Sequence, residues 1–134
     1  MRKLLLIISV LLSFNVLNAQ QQKDTLNYFS ISKEQRVEWN KIEDKWRLDY
    51  FNSFLKKHKL KTSCAHCYSI NFEASFTISE NGNTKIELVS NQVCGKKFNK
   101  KQEAELIQLL QKIIFPKEFY DGIFIFKIGK TLKC

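Results

Sequence analysis

The sequence predicts an α+β fold: a long N-terminal helix followed by a β-β-α-β unit with a three-stranded sheet. The sheet is all-antiparallel if its last strand pairs with its first. Three observations carry this. Trp39, Ile42, Trp46, Tyr50 and Phe54 recur every three or four residues, which is helical spacing. From Tyr68 to Ile78 apolar and polar residues alternate, which is strand spacing. Past Pro116, the turn dipeptide Asp121-Gly122 opens a second strand-like run, "IFIFKIGKTL".

The chain has 134 residues. Its first nineteen read as a secretory signal peptide: a basic start at Arg2 and Lys3, an apolar stretch from Leu4 to Leu17, and a small residue, Ala19, at the cleavage point. The apolar stretch is shorter than the ~20 residues that span a bilayer. Cleavage after Ala19 leaves 115 residues with 20 Lys and Arg against 13 Asp and Glu, a formal charge of +7. That is one domain with room for a core. The positive charge does not indicate a nucleic-acid partner. Only Arg36 and Arg47 are arginines in the mature part and the lysines are dispersed, whereas base and phosphate readout favours bidentate arginine. A solvated lysine-rich surface accounts for the charge, with weak attraction to acidic envelope surfaces.

Residues 20–31 are a polar lead-in, expected to be flexible. Ser32 then caps a helix with Gln35 in capping-box position. No Gly or Pro interrupts residues 32–60, so the helix is predicted to run unbroken to near Lys59. Its aromatic stripe reads as a core-facing side. In the first strand, Tyr68, Ile70, Phe72, Ala74, Phe76 and Ile78 share a face. Asn81-Gly82 predicts a hairpin turn. The returning strand passes Thr84, Ile86 and Leu88, loses its alternation near Val89 to Asn91, where a bulge is expected, and ends at Val93 and Cys94. Asn99 and Gln102 make a second capping box. Leu106, Leu109, Leu110, Ile113 and Ile114 form that helix's predicted buried stripe, and Pro116 ends it. In the last strand Phe124, Phe126, Ile128 and Leu132 share one face. Ile123 and Ile125 are apolar on the other, which then needs a cover: the first helix, a second copy or a partner.

This order brings all four cysteines, Cys64, Cys67, Cys94 and Cys134, to one rim of the sheet. Two disulfides suit an exported domain with an even cysteine count, and Cys64 and Cys67 are each expected to reach across to Cys94 or Cys134. Which pairs with which is open. The rival chemistries are a four-thiolate zinc site and a redox dithiol at Cys64 and Cys67. The dithiol lacks the helix N-terminus that stabilises thioredoxin-type thiolates. His58 reads as a helix-end residue, and Glu103 and Glu105 as solvent-facing. No catalytic, cofactor-binding or metal residues are assigned.

The stretch "INFEASFTISENGNTKIELV", a helix, and "FPKEFYDGIFIFKIGKTL" resemble the C-terminal domain of TonB, the envelope energy-transduction protein, over roughly residues 68–133. The shared features are a strand pair closed at Gly82, a helix ending in Phe115-Pro116, and Gly122 leading into a final strand. The resemblance implies that the edge of the last strand, Ile123, Ile125, Lys127, Gly129 and Thr131, pairs with an extended peptide of an envelope or transporter protein. TonB itself needs a lasting membrane anchor and a long proline-rich spacer. This chain has a leader expected to be cleaved and a single proline. The expectation is therefore a periplasmic or secreted, non-enzymatic interaction module, touching a membrane only through its leader. The alternatives are a periplasmic thiol-disulfide oxidoreductase using Cys64 and Cys67, or a structural homodimer.

Overall fold

The computed structural model describes residues 23–134. The leader expected over residues 1–19 lies outside them. Among the described residues no helix is long and apolar enough to cross a membrane.

The fold is α+β, but the predicted architecture needs correction. The sheet has four strands, not three, and it is mixed, not all-antiparallel. It opens with a strand that precedes the helix: β1, Thr25–Asn27. The chain continues through α1, Lys33–Trp46, a π-helical turn, Arg47–Phe51, and α2, Asn52–Lys57. Strands β2 (Ser69–Ile78) and β3 (Thr84–Val93) follow, then α3 (Lys100–Leu110), a short 3-10 turn (Lys117–Phe119) and β4 (Gly122–Thr131). The strand order is β1-β4-β2-β3. β2 is antiparallel to both β3 and β4, whereas β1 lies parallel to β4.

The long helix is not one uninterrupted α-helix either. At Arg47–Phe51 the ladder shifts to π bonding, with the Asn52 N–H donating to the Arg47 carbonyl. One extra residue per turn rotates the downstream face by about 100°. The apolar residues require this rotation. Trp39 and Trp46 lie seven apart on one stripe, but Phe51 and Phe54, not Tyr50, are the residues fully buried after it.

Both capping boxes form. Ser32 accepts from the Gln35 N–H while Gln35 accepts from the Ser32 N–H, and Asn99 and Gln102 repeat the arrangement. α3 stops at Leu110, short of Pro116. The residues after it leave helical phase, so Ile114, predicted to be buried, is 87% exposed, and Phe115 takes the buried position instead.

Both helical segments pack on the same face of the sheet. Trp39 lies over Phe126 with ring centroids 3.9 Å apart and also contacts Phe76 and Phe115. Trp46 and Phe51 meet Phe72. The Trp46 indole N–H donates to the Leu109 carbonyl at 2.8 Å, joining α1 to the end of α3. Nine buried phenylalanines allow this core to be built mainly from rings, each worth roughly 1.5–3 kcal/mol when fully buried.

Glu80, Asn81 and Gly82 form a three-residue hairpin loop: the Ser79 N–H donates to the Asn83 carbonyl, and Gly82 takes φ +85°. The left-handed glycine in the third loop position is the usual partner of such a loop. The bulge expected near residues 89–91 falls at Val89. Ser90 pairs with Glu73 and Leu88 with Ala74, which leaves Val89 unpaired.

Candidate functional site

At the base of the sheet the cysteines converge. Cys64 is bonded to Cys134, with Cα atoms 5.4 Å apart, and Cys67 to Cys94, with Cα atoms 4.5 Å apart. Local structure prepares both bonds. Ser63 and Cys67 exchange two backbone hydrogen bonds of 2.7 and 2.8 Å, closing the Cys64–Cys67 segment into a tight loop. Val93 and Lys96 do the same around Cys94 and Gly95, whose φ values are +50° and +78°. That is a two-residue turn with both centres left-handed. The Cys94 N–H donates to the Ser69 carbonyl and the Leu132 N–H to the Tyr68 carbonyl, which carries the ladders down to the bridges.

The two cysteines of the Cys-x-x-Cys motif are therefore joined to distant partners and not to each other. No thiol among the four is left for a zinc ion. Two disulfides indicate an oxidising, extracytoplasmic environment.

The second element of the site is the outer edge of β4. The Leu132–Tyr68 bond and the β2–β4 register place residues 122, 124, 126, 128 and 130 with their backbone groups toward β2. Antiparallel strands alternate this direction residue by residue. Ile123, Ile125, Lys127, Gly129 and Thr131 therefore direct their N–H and C=O groups to the other side. β1 takes up the first of these: Thr25 stands opposite Ile123, Leu26 opposite Phe124 and Asn27 opposite Ile125. After Asn27 the chain turns away, its side-chain oxygen accepting from the Phe29 and Ser30 N–H groups. Lys127, Gly129 and Thr131 are left with no strand beside them among the described residues. The edge inferred from the resemblance is thus divided. Ile123 and Ile125 are covered from within the chain, and Lys127, Gly129 and Thr131 are open.

Gly129 has a steric reason to be glycine. A Cβ there would come within 2.4 Å of the Ile70 carbonyl oxygen and 2.6 Å of the Asn71 Cα. The close approach of β4 to β2 beside the open edge depends on its absence. The Thr131 hydroxyl lies 3.4 Å from that of Ser69, which also accepts from the Asn71 amide.

The sheet face opposite the helices is uncovered among the described residues. Ile123 and Ile125 lie on it, half-buried, beside Thr77 and Ser75 of β2. Further down are Asn71 and Glu73 of β2, Ser90 and Gln92 of β3, and Lys127. Glu73 accepts from the Ser90 hydroxyl at 2.8 Å and stands opposite Lys127.

Two acids predicted to be idle are not. Glu105 accepts from Lys57 Nζ at 2.8 Å and lies 2.9 Å from His58 Nε2, which itself packs on the Phe54 ring. Hydrogen bonds from Lys57 and then His58 hold the Glu105 carboxyl below its ordinary range. Glu103 accepts from the Asn91 amide, and the Asn91 side-chain oxygen accepts from the Phe98 N–H. Both acids tie α3 to its neighbours. Spacing along α3 could not reveal this, because their partners sit on other elements. The Glu43 carboxyl is pushed up by burial, against the pull of Arg47.

No known family model, curated protein or solved structure matches the chain at a significant level.

Proposed function

We propose that this chain is a disulfide-stapled interaction module of the cell envelope, of the TonB C-terminal type, that binds an extended protein segment by adding it as a strand to β4. The observation that carries the reading is the half-covered edge. β1 ends opposite Ile125, and the outward backbone groups of Lys127, Gly129 and Thr131 offer donors and acceptors to a further strand. Main-chain bonds of this kind supply affinity, and alternate side chains of the partner supply selectivity. The staples support it. Cys64–Cys134 fastens the chain three residues past Thr131 to the segment that precedes β2. The route is export through the leader at residues 1–19, cleaved after Ala19, to the periplasm or beyond. The partner is an envelope or transporter protein, and the module is not an enzyme.

A photo-crosslinking side chain at Lys127, introduced in the native host, tests the reading. The expected product joins Lys127 to one extended segment of an envelope protein, and Lys127→Pro, which removes an outward donor, abolishes association with that protein. Unchanged association of the Lys127→Pro protein would overturn strand addition.

A further inference from the structure

We infer that the uncovered sheet face carries a second site, a groove for a phosphorylated saccharide. The groove has a volume of about 480 Å³ and runs from Lys127 across Asn71, Glu73 and Gln92 to Lys96 and Lys97 at the turn after β3. Its size falls within the range of about 300–1,000 Å³ typical of small-molecule sites.

The lining selects the ligand. Lys96, Lys97 and Lys127 have no ion-pair partner among the described residues. With Glu73 as the single carboxylate, the groove carries a formal excess of two positive charges. Lysine ammonium groups act on phosphate as compact point charges. The Asn71 and Gln92 amides and the Glu73 carboxylate are donors and acceptors at the spacing of adjacent β residues, suited to neighbouring hydroxyls. No aromatic ring lines the groove, so a nucleotide, whose base would need a stacking surface, is not favoured. An apolar ligand would strand the amides unpaired.

The positive end is also held in place. Lys96 follows the left-handed Cys94-Gly95 pair directly, and Cys94 is covalently anchored to the base loop through Cys67. The turn itself is closed by two Val93–Lys96 backbone hydrogen bonds and tied to β2 by the Cys94 N–H to the Ser69 carbonyl. The bridge and these bonds fix the backbone that carries Lys96 relative to β2 before any ligand arrives, which lowers the ordering cost of binding. The groove shares Lys127 with the open edge of β4, but it does not rest on the strand-addition reading: Lys96 and Lys97, the residues its test substitutes, lie beyond β3, at the opposite edge of the sheet from the β1 side of β4.

The test is a titration followed by backbone amide spectra of the isotope-labelled chain, with glucose 6-phosphate, glucose and inorganic phosphate as probes. Glucose 6-phosphate is expected to shift the amides of Asn71, Gln92, Gly95 and Lys96 saturably. Inorganic phosphate should bind at least about tenfold more weakly, and glucose more weakly still. The doubly substituted Lys96→Glu, Lys97→Glu protein, both changes being at exposed positions, should lose at least about tenfold in affinity while its other amides keep their positions. Co-sedimentation with vesicles bearing a phosphosugar lipid headgroup separates the two sources. Binding to vesicles alone assigns a lipid-borne ligand, and binding to the free sugar phosphate a soluble one. Saturation by neither probe, equal affinity for inorganic phosphate, or retention of affinity by the doubly substituted protein would each overturn the site.

Discussion

Asn27 stands opposite Ile125 at the last rung of the β1–β4 ladder, and beyond that rung β4 continues to Thr131 with its outer side open. The parallel strand thus protects one part of an edge and leaves the other available. Exposed edges invite pairing with other chains, and Lys127 and Lys130 are the kind of residue that discourages indiscriminate pairing. A selective partner has to overcome that bias.

The alternation of backbone direction along β4 predicts opposite outcomes for two lysines in the same strand. Lys127 directs its N–H outward, so Lys127→Pro removes no ladder bond and should cost less than about 1 kcal/mol. Lys130 pairs with Ile70, so Lys130→Pro loses a bond and strands a carbonyl, a cost of about 1–3 kcal/mol or more. Urea unfolding of the two variants makes the comparison. Equal losses would mean that the assigned directions are wrong.

Gly129→Ala should destabilise the sheet by about 1–3 kcal/mol, because the added methyl meets the Ile70 and Asn71 backbone, which cannot move aside as a flexible side chain could. A denaturation midpoint unchanged from the parent would show that β4 can shift away from β2 freely.

Loss of either disulfide should be costly, and the longer loop more so. Cys64–Cys134 closes 70 residues and Cys67–Cys94 closes 27. On loop entropy alone these correspond to about 4.4 and about 3.6 kcal/mol. Calorimetry on Cys64→Ser, Cys134→Ser and on Cys67→Ala, Cys94→Ala, prepared separately, reads both losses. A loss near zero for the first pair would mean that the segment after β4 is held by other contacts.

Glu105 predicts a pH dependence. Its carboxyl titrates below the ordinary value of 4.5 because Lys57 and His58 bond to the ionised form. A depressed folded-state pKa contributes stability above the unfolded value and loses it as pH falls through the folded value. Glu105→Gln should therefore be less stable than the parent at pH 7, and the gap should close as the pH is lowered from about 5 to below the depressed value. Parallel thermal melts across that range show it. A gap that stays constant would mean that the carboxylate charge is irrelevant.

Much of this arrangement was legible in residue order. The alternation from Ile70 to Ile78 placed β2 and its buried face, the two capping boxes placed the starts of α1 and α3, and the chain reversals brought the cysteines together. Other parts depend on information that no local pattern carries. Thr25, Leu26 and Asn27 are too few to show a period, and they become a strand only because β4 lies beside them. The π turn exists because Phe51 and Phe54 must reach a core whose position is set by β2. Ile114 has the right spacing for the α3 stripe, yet the helix ends before it. Disulfide pairing, and the contacts of Glu105 with His58, follow from how distant elements meet.

Amide hydrogen exchange along β4 in the free protein tests the central claim most directly. The open edge predicts slow exchange at Ile125, Phe126, Ile128 and Lys130, which face a neighbouring strand, and fast exchange at Lys127, Gly129 and Thr131. Uniform protection from Phe126 to Thr131 would contradict it, because the edge would then already be occupied.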